Sequence, residues 1–138
     1  MSDEYAHLLV KDFGLWGVYV HENQSYLGRC VVWCHRADAR ELTDATGEEY
    51  EQLLTVLRAL RHASVEVCNP DWFNYAFLGN ETRHLHGHFI PRYKEAREYR
   101  GIFFTDDRWG HNYQTNYEFI TPPEVLENIR HALQQALK

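Results

Sequence analysis

The stretch Arg83-His84-Leu85-His86-Gly87-His88-Phe89-Ile90-Pro91-Arg92 decides how this chain is read. Histidine recurs at every second position, and side chains along a β-strand alternate between faces with the same period of two. A strand over Arg83 to Ile90 therefore sets His84, His86 and His88 on one face and turns Leu85, Gly87 and Phe89 to the other. Imidazole titrates closest to neutrality of all side chains, so it serves as base, acid, nucleophile or metal ligand. Burying three of them side by side costs desolvation and charge repulsion unless something binds there. The row predicts a reaction centre. Among the nine histidines of the chain, the isolated His7, His35, His62 and His131 read as solvated or hydrogen-bonded structural residues.

Working outward, Trp72 to Leu78 reads as a strand, joined to the histidine strand through the turn Gly79-Asn80-Glu81-Thr82, so the two should pair antiparallel. Phe13 to His21 and Leu27 to His35 are two more β-rich runs, separated by the polar turn Glu22-Asn23-Gln24-Ser25, and predict a hairpin. Thr46-Gly47-Glu48-Glu49 fits a capping box, with Glu49 reaching back to Thr46. Tyr50, Leu53, Leu54, Leu57 and Leu60 then recur at helical spacing, predicting a helix to about Val67 that Asn69-Pro70 stops. Thr121-Pro122-Pro123-Glu124 opens a last helix with an N-cap, whose buried stripe is Val125, Ile129, Leu133 and Leu137. Residues 93–120 mix charges and aromatics without clear periodicity. Antiparallel hairpins flanked by two helices predict an α+β domain, and 138 residues are most simply one domain, 1–138.

The formal net charge of −6 argues against nucleic acid or an anionic membrane as partner. It leaves room for a small phosphorylated ligand, which needs only a local positive site. No apolar run reaches the roughly 18 residues that span a bilayer. Met1-Ser2-Asp3-Glu4 lacks the basic region and apolar core of a signal peptide. Cys30 and Cys34 on one strand would stand about 13 Å apart, too far for one disulfide or one zinc ion. With Cys68 they read as buried thiols in a reducing cytoplasm.

Strand spacing puts His84 and His86 about 7 Å apart and His84 and His88 about 13 Å apart. A straight strand cannot aim all three at one ion. Two alternate histidines can chelate a metal if further ligands come from elsewhere, which leaves a metal-dependent hydrolase as one rival reading. The other use is nucleophilic: a neutral imidazole attacks phosphorus when its second nitrogen donates to a partner that fixes the tautomer. Phosphoryl oxygens also need donors or positive charge around them. Arg92 shares the parity of the histidines, and Gly79 and Asn80 offer a backbone N–H and an amide at the entrance to the strand.

His84-Leu85-His86-Gly87-His88 followed by Phe89-Ile90 resembles the signature of the histidine triad superfamily of nucleotide hydrolases and transferases. The extended segment from Asn80 to Tyr93 is similar to a small prokaryotic branch. The likeness extends to Gly28-Arg29-Cys30-Val31-Val32, to Leu42 through Glu49, and to Phe104-Thr105-Asp106, Trp109-Gly110 and Asn112-Tyr113. It implies an α+β fold around a five-stranded antiparallel sheet with two main helices, usually paired as a homodimer. It implies cleavage between a nucleotide's α-phosphate and a leaving group, in a phosphoanhydride, phosphoramidate or phosphoester, with a dinucleoside polyphosphate or an adenylated small molecule as the substrate class. His86 would be the nucleophile forming a transient nucleotidyl-histidine, His84 would orient it, and His88 would contact the phosphate or leaving oxygen. No metal is required at the triad and no cofactor is implied.

The chain also departs from that pattern. Where many relatives have Gly-Gln-Ser or Gly-Gln-Thr before the triad, Gly79-Asn80-Glu81 stands here, so Asn80 replaces the glutamine and Glu81 a hydroxyl. Arg29 occupies a place where several relatives carry histidine and can supply phosphate charge or remain a surface cation. The ribose-binding group falls near the first hairpin turn, at Asn23 with His21 or Glu22 as alternatives. Asn74, on the adjacent strand, reads equally as ligand or structural residue. Trp109 or a neighbour can stack on a base, though such aromatics more often pack a core or an interface. A nucleotide-binding module with little turnover is the second rival reading.

Overall fold

The computed structural model describes every residue from Met1 to Lys138. Five strands form one antiparallel sheet: β1 (Leu9–Asp12), β2 (Trp16–Val20), β3 (Cys30–Cys34), β4 (Trp72–Ala76) and β5 (His86–Arg92), in the spatial order β1-β2-β3-β5-β4. A short hairpin, β6 (Arg97–Tyr99) and β7 (Ile102–Phe104), follows the sheet. The helices are α1 (Gly47–Cys68) and α2 (Pro123–Ala136), with 3-10 turns at Asp3–Leu8 and Leu42–Asp44. This is the expected α+β arrangement.

Register explains which face holds what. Val18 pairs with Val32 and Val32 with Gly87, while Cys30 pairs with Phe89. These positions share one face, where they join Leu53, Val56 and Leu60 of α1 and Ile129 and Leu133 of α2 in a single apolar core. On the opposite face Gly17 lies beside Trp33 and Trp33 beside His86; one step along, Tyr19 lies beside Val31 and Val31 beside His88. The period of two thus divides packing from chemistry. A Cβ at Gly87 would come within 2.4 Å of the Phe77 ring, so only glycine lets that ring close the core face beneath the histidines.

The capping box of α1 is present in both directions between Thr46 and Glu49. Asn69, at φ 48°, ends the helix in the left-handed conformation that commonly terminates one. The stripe Val125, Ile129, Leu133 and Leu137 is buried as expected. Cys30, Cys34 and Cys68 are buried free thiols.

Several expectations need correction. The histidine strand begins at His86 and not at Arg83, because His84 lies in the approach to it. Strand β1 was not read from the sequence; its exposed Lys11 and Asp12 carry no β signal, and β2 recruits it as an edge. The hairpin β6–β7 lies in the segment that showed no periodicity. Pro122, not Thr121, is the N-cap of α2, and the Thr121 hydroxyl instead accepts from the Gln24 backbone N–H. Tyr50 and Leu54 of the α1 apolar series are exposed.

Candidate active site

The three histidines act through different atoms. His84 stacks on the indole of Trp33, with ring centroids 4.1 Å apart and planes 15° from parallel. Its Nε2–H donates to the Cys34 carbonyl at 2.5 Å. The backbone carbonyl of His84 accepts from His86 Nδ1 at 2.6 Å. A carbonyl oxygen only accepts, so the His86 proton sits on Nδ1 and the Nε2 lone pair is free. His84 therefore orients the central histidine with its main chain, while its ring is anchored to the sheet.

His88 stands beside His86, ring centroids 5.4 Å apart and nearly perpendicular. Arg29 Nη2 donates to His88 Nδ1 at 3.2 Å, which leaves Nε2–H as the free edge of that ring. His21 lies on the other side of His88 at 5.8 Å. Its Nδ1 accepts from the Asn23 backbone N–H, so it too presents Nε2–H. Burial and the nearby Arg29 charge push His88 down to about 3 and His21 to about 4, and both rings are neutral at pH 7.

His86, His88, His21 and Arg29 line one cavity of about 1330 Å³. Gly79, Asn80, Glu81 and Thr82 form part of its rim, with Gly79 at φ +66°, a backbone conformation that favours glycine. The first 3-10 turn adds Tyr5 and Leu8, which with Tyr19 and Val20 make an apolar flank. Tyr113, Thr115 and Tyr117 of the long connection after β7 close another side. The ring of His84 is not part of the wall.

The remaining predicted residues have distinct placements. Asn23 lines the cavity, but its amide accepts from Ser25 N–H and donates to the Asn116 carbonyl, which sews the β2–β3 turn to the long connection. Asn74 also lines the cavity, with Oδ1 held by Arg92 Nη1 at 2.7 Å. Arg92 does not fit the expected phosphate contact. It is 3% exposed, and its five N–H donors go to both Asp106 carboxylate oxygens, Asn74 Oδ1 and the carbonyls of Arg108 and His111. No donor remains for a ligand. Trp109 stands away from the triad cavity, with Lys94 over its ring.

Arg29 is the reverse case. It is 4% exposed, yet no carboxylate pairs with it. Nη1 donates to Thr115 Oγ1 at 2.7 Å, the Tyr113 ring lies 5.3 Å from the guanidinium carbon, and Nε is buried without a partner. Sequence reasoning missed Trp33, Tyr113 and Thr115. Trp33 was legible in principle, since a strand paired with the histidine strand must place a residue beside each imidazole; the other two lie in an aperiodic segment. No group of three or more histidine, cysteine or carboxylate side chains is arranged to hold a metal ion.

No protein-family model matches the sequence, and no curated protein matches it. Solved structures do match the fold. A histidine triad protein from Bradyrhizobium japonicum superposes with a TM-score of 0.74 at 23% identity, covering 100% of this chain and 97% of that one. The chain has the histidine triad fold. A histidine triad protein from Marinobacter aquaeolei gives a TM-score of 0.69 at 22% identity, over 99% of this chain and 94% of that one. A hypothetical histidine triad nucleotide-binding protein from Sulfolobus tokodaii gives 0.69 at 13% identity, over 94% and 83%. Within the histidine triad fold, the His84-x-His86-x-His88 face and its cavity are the candidate site of this chain.

Proposed function

We propose that this chain is a histidine triad nucleotide hydrolase or nucleotidyl transferase that cleaves at the α-phosphate through His86. The observation that carries this reading is the hydrogen bond from His86 Nδ1–H to the His84 carbonyl, which leaves Nε2 as a nucleophile on the wall of a nucleotide-sized cavity. Attack by Nε2 forms an N–P bond as the bond to the leaving group breaks. The Nδ1–H bond to the carbonyl then stabilises the positive imidazole ring of the intermediate. Neutral Nε2–H donors on His88 and His21, with the Gly79–Asn80 turn, are placed to meet phosphate oxygens. The flank of Tyr5, Leu8, Tyr19 and Val20 suits a nucleobase, and water attack on the intermediate releases the nucleotide. No helix is long and apolar enough to cross a membrane; the reading includes a homodimer acting in the cytoplasm.

The test is AMP release from diadenosine tetraphosphate by metal-free protein, with His86→Ala as the paired control. Release by the wild type that is unaffected by chelator and lost in the variant supports the reading. Release that needs added metal moves the weight to a metal hydrolase. Binding of AMP without any release moves it to a nucleotide-binding module.

A further inference from the structure

The site described above lacks an obvious acid beside the nucleophile. Whether His86 expels a leaving group depends on the state of the ring next to it, and that ring is held by Arg29. Just before β3, Arg29 donates to His88 Nδ1; from β5, His86 stands edge-on to it; after β2, His21 faces it with its own Nδ1 already accepting a bond. Tyr113, from the long connection, covers Arg29 itself. The Arg29 guanidinium has no acidic partner, so its full positive charge faces the imidazole. Protonating His88 at Nδ1 would break the bond from Arg29 and set two cations against each other.

We propose that Arg29 is a positioning residue that locks His88 as its Nε2–H tautomer and thereby restricts the site to leaving groups that depart as anions, a nucleoside phosphate above all, over amines. This rests on the hydrolase reading. With a phosphate leaving group, His86 Nε2 forms the N–P bond, the bridging P–O bond breaks, and its electron pair stays on the departing oxygen. The His88 Nε2–H steadies that oxygen without giving up its proton. An amine must gain a proton before the P–N bond can break, and His88 has only the one proton that its neutral form keeps. Burial and the neighbouring charges hold that ring neutral down to about 3. The carboxylates on the cavity wall, Glu22 and Glu81, are exposed and screened by water, whereas the cation is buried.

The experiment compares kcat/KM for diadenosine tetraphosphate and for an adenosine 5′-phosphoramidate, in the wild type, Arg29→Met and Arg29→Lys. Nitrogen-15 NMR of the His88 ring is recorded on the same proteins. The wild type should favour the tetraphosphate at pH 7 by on the order of 100-fold, the size expected when a general acid is missing. Arg29→Met should cut that ratio at least about tenfold. Its amidate turnover should rise as pH falls, beginning at a higher pH than in the wild type because the Arg29 charge is gone while burial still holds His88 below the ordinary histidine value, and His88 should show mixed tautomers. Arg29→Lys should retain the wild-type preference in part. A wild type that cleaves both substrates within a few-fold overturns the inference and leaves the hydrolase reading standing. An unchanged His88 spectrum in Arg29→Met also overturns it. Turnover of neither substrate overturns both.

Discussion

Arg92 and Arg29 are equally buried, at 3% and 4% exposure, and both grip the long connection after β7, yet they are provided for in opposite ways. Arg92 meets Asp106 in a two-point ion pair and spends its other donors on Asn74 and on the carbonyls of Arg108 and His111. Arg29 holds Thr115 and His88 and has neither a counter-ion nor a partner for Nε. A buried charge that is fully paired belongs to the scaffold, and removing its partner is costly. A buried charge without a counter-ion weakens the fold unless a ligand supplies one. The difference separates structure from function within one residue type.

The sharpest way to break the comparison is at Asp106. Asp106→Asn leaves Arg92 buried and unbalanced and should lower unfolding free energy by about 3–5 kcal/mol, measured by denaturant titration. A loss under 1 kcal/mol would remove Arg92 from the scaffold.

Acid tests the surroundings of Arg29. His88 and His21 titrate near 3 and 4 in the fold and near 6.5 in the unfolded chain. Below pH 6.5 the unfolded chain takes up protons that the folded one refuses, so stability is full above that pH and falls towards pH 4. The loss by pH 5 should be about 4 kcal/mol, roughly 2 from each ring, read from Tm against pH. A flat profile over that window would mean the two rings are ordinary surface histidines.

Arg29→Met should change stability by no more than about 1 kcal/mol, since it removes an uncompensated charge while keeping most of the volume. Pyrophosphate should raise the Tm of the wild type and not of this variant. Equal shifts would place the anion elsewhere. The smallest effect is expected from Thr115→Val, at about 0.5–1 kcal/mol, with the His88 tautomer retained because the Nη2 bond does not depend on it.

Much of the sheet and helices was legible, because periodicity reports faces. The alternation at 84–88, the β2–β3 hairpin and the Thr46–Glu49 box all follow from local spacing, and each is local in the fold. Partnership is not local. Asp106 lies 14 residues from Arg92, and Thr115 lies 86 residues from Arg29, so parity alone favoured Arg92 as the phosphate ligand and left Arg29 undecided. His84 shows the same limit: its parity put it with the other two, whereas Trp33 and the Cys34 carbonyl draw its ring off the cavity wall. A short edge such as β1 takes its conformation from β2, so its own residues carry little signal.

The seam between the β2–β3 turn and the long connection has a kinetic consequence. Residues 105–121 contain no helix or strand, yet Gln114 N–H donates to the Tyr26 hydroxyl, Asn116 N–H to Ser25 Oγ, and Asn23 Nδ2 to the Asn116 carbonyl. Amide hydrogens at 114 and 116 should therefore exchange with deuterium at the pace of the neighbouring hairpin, and a segment that looks like loop should open only when the sheet edge beside it does.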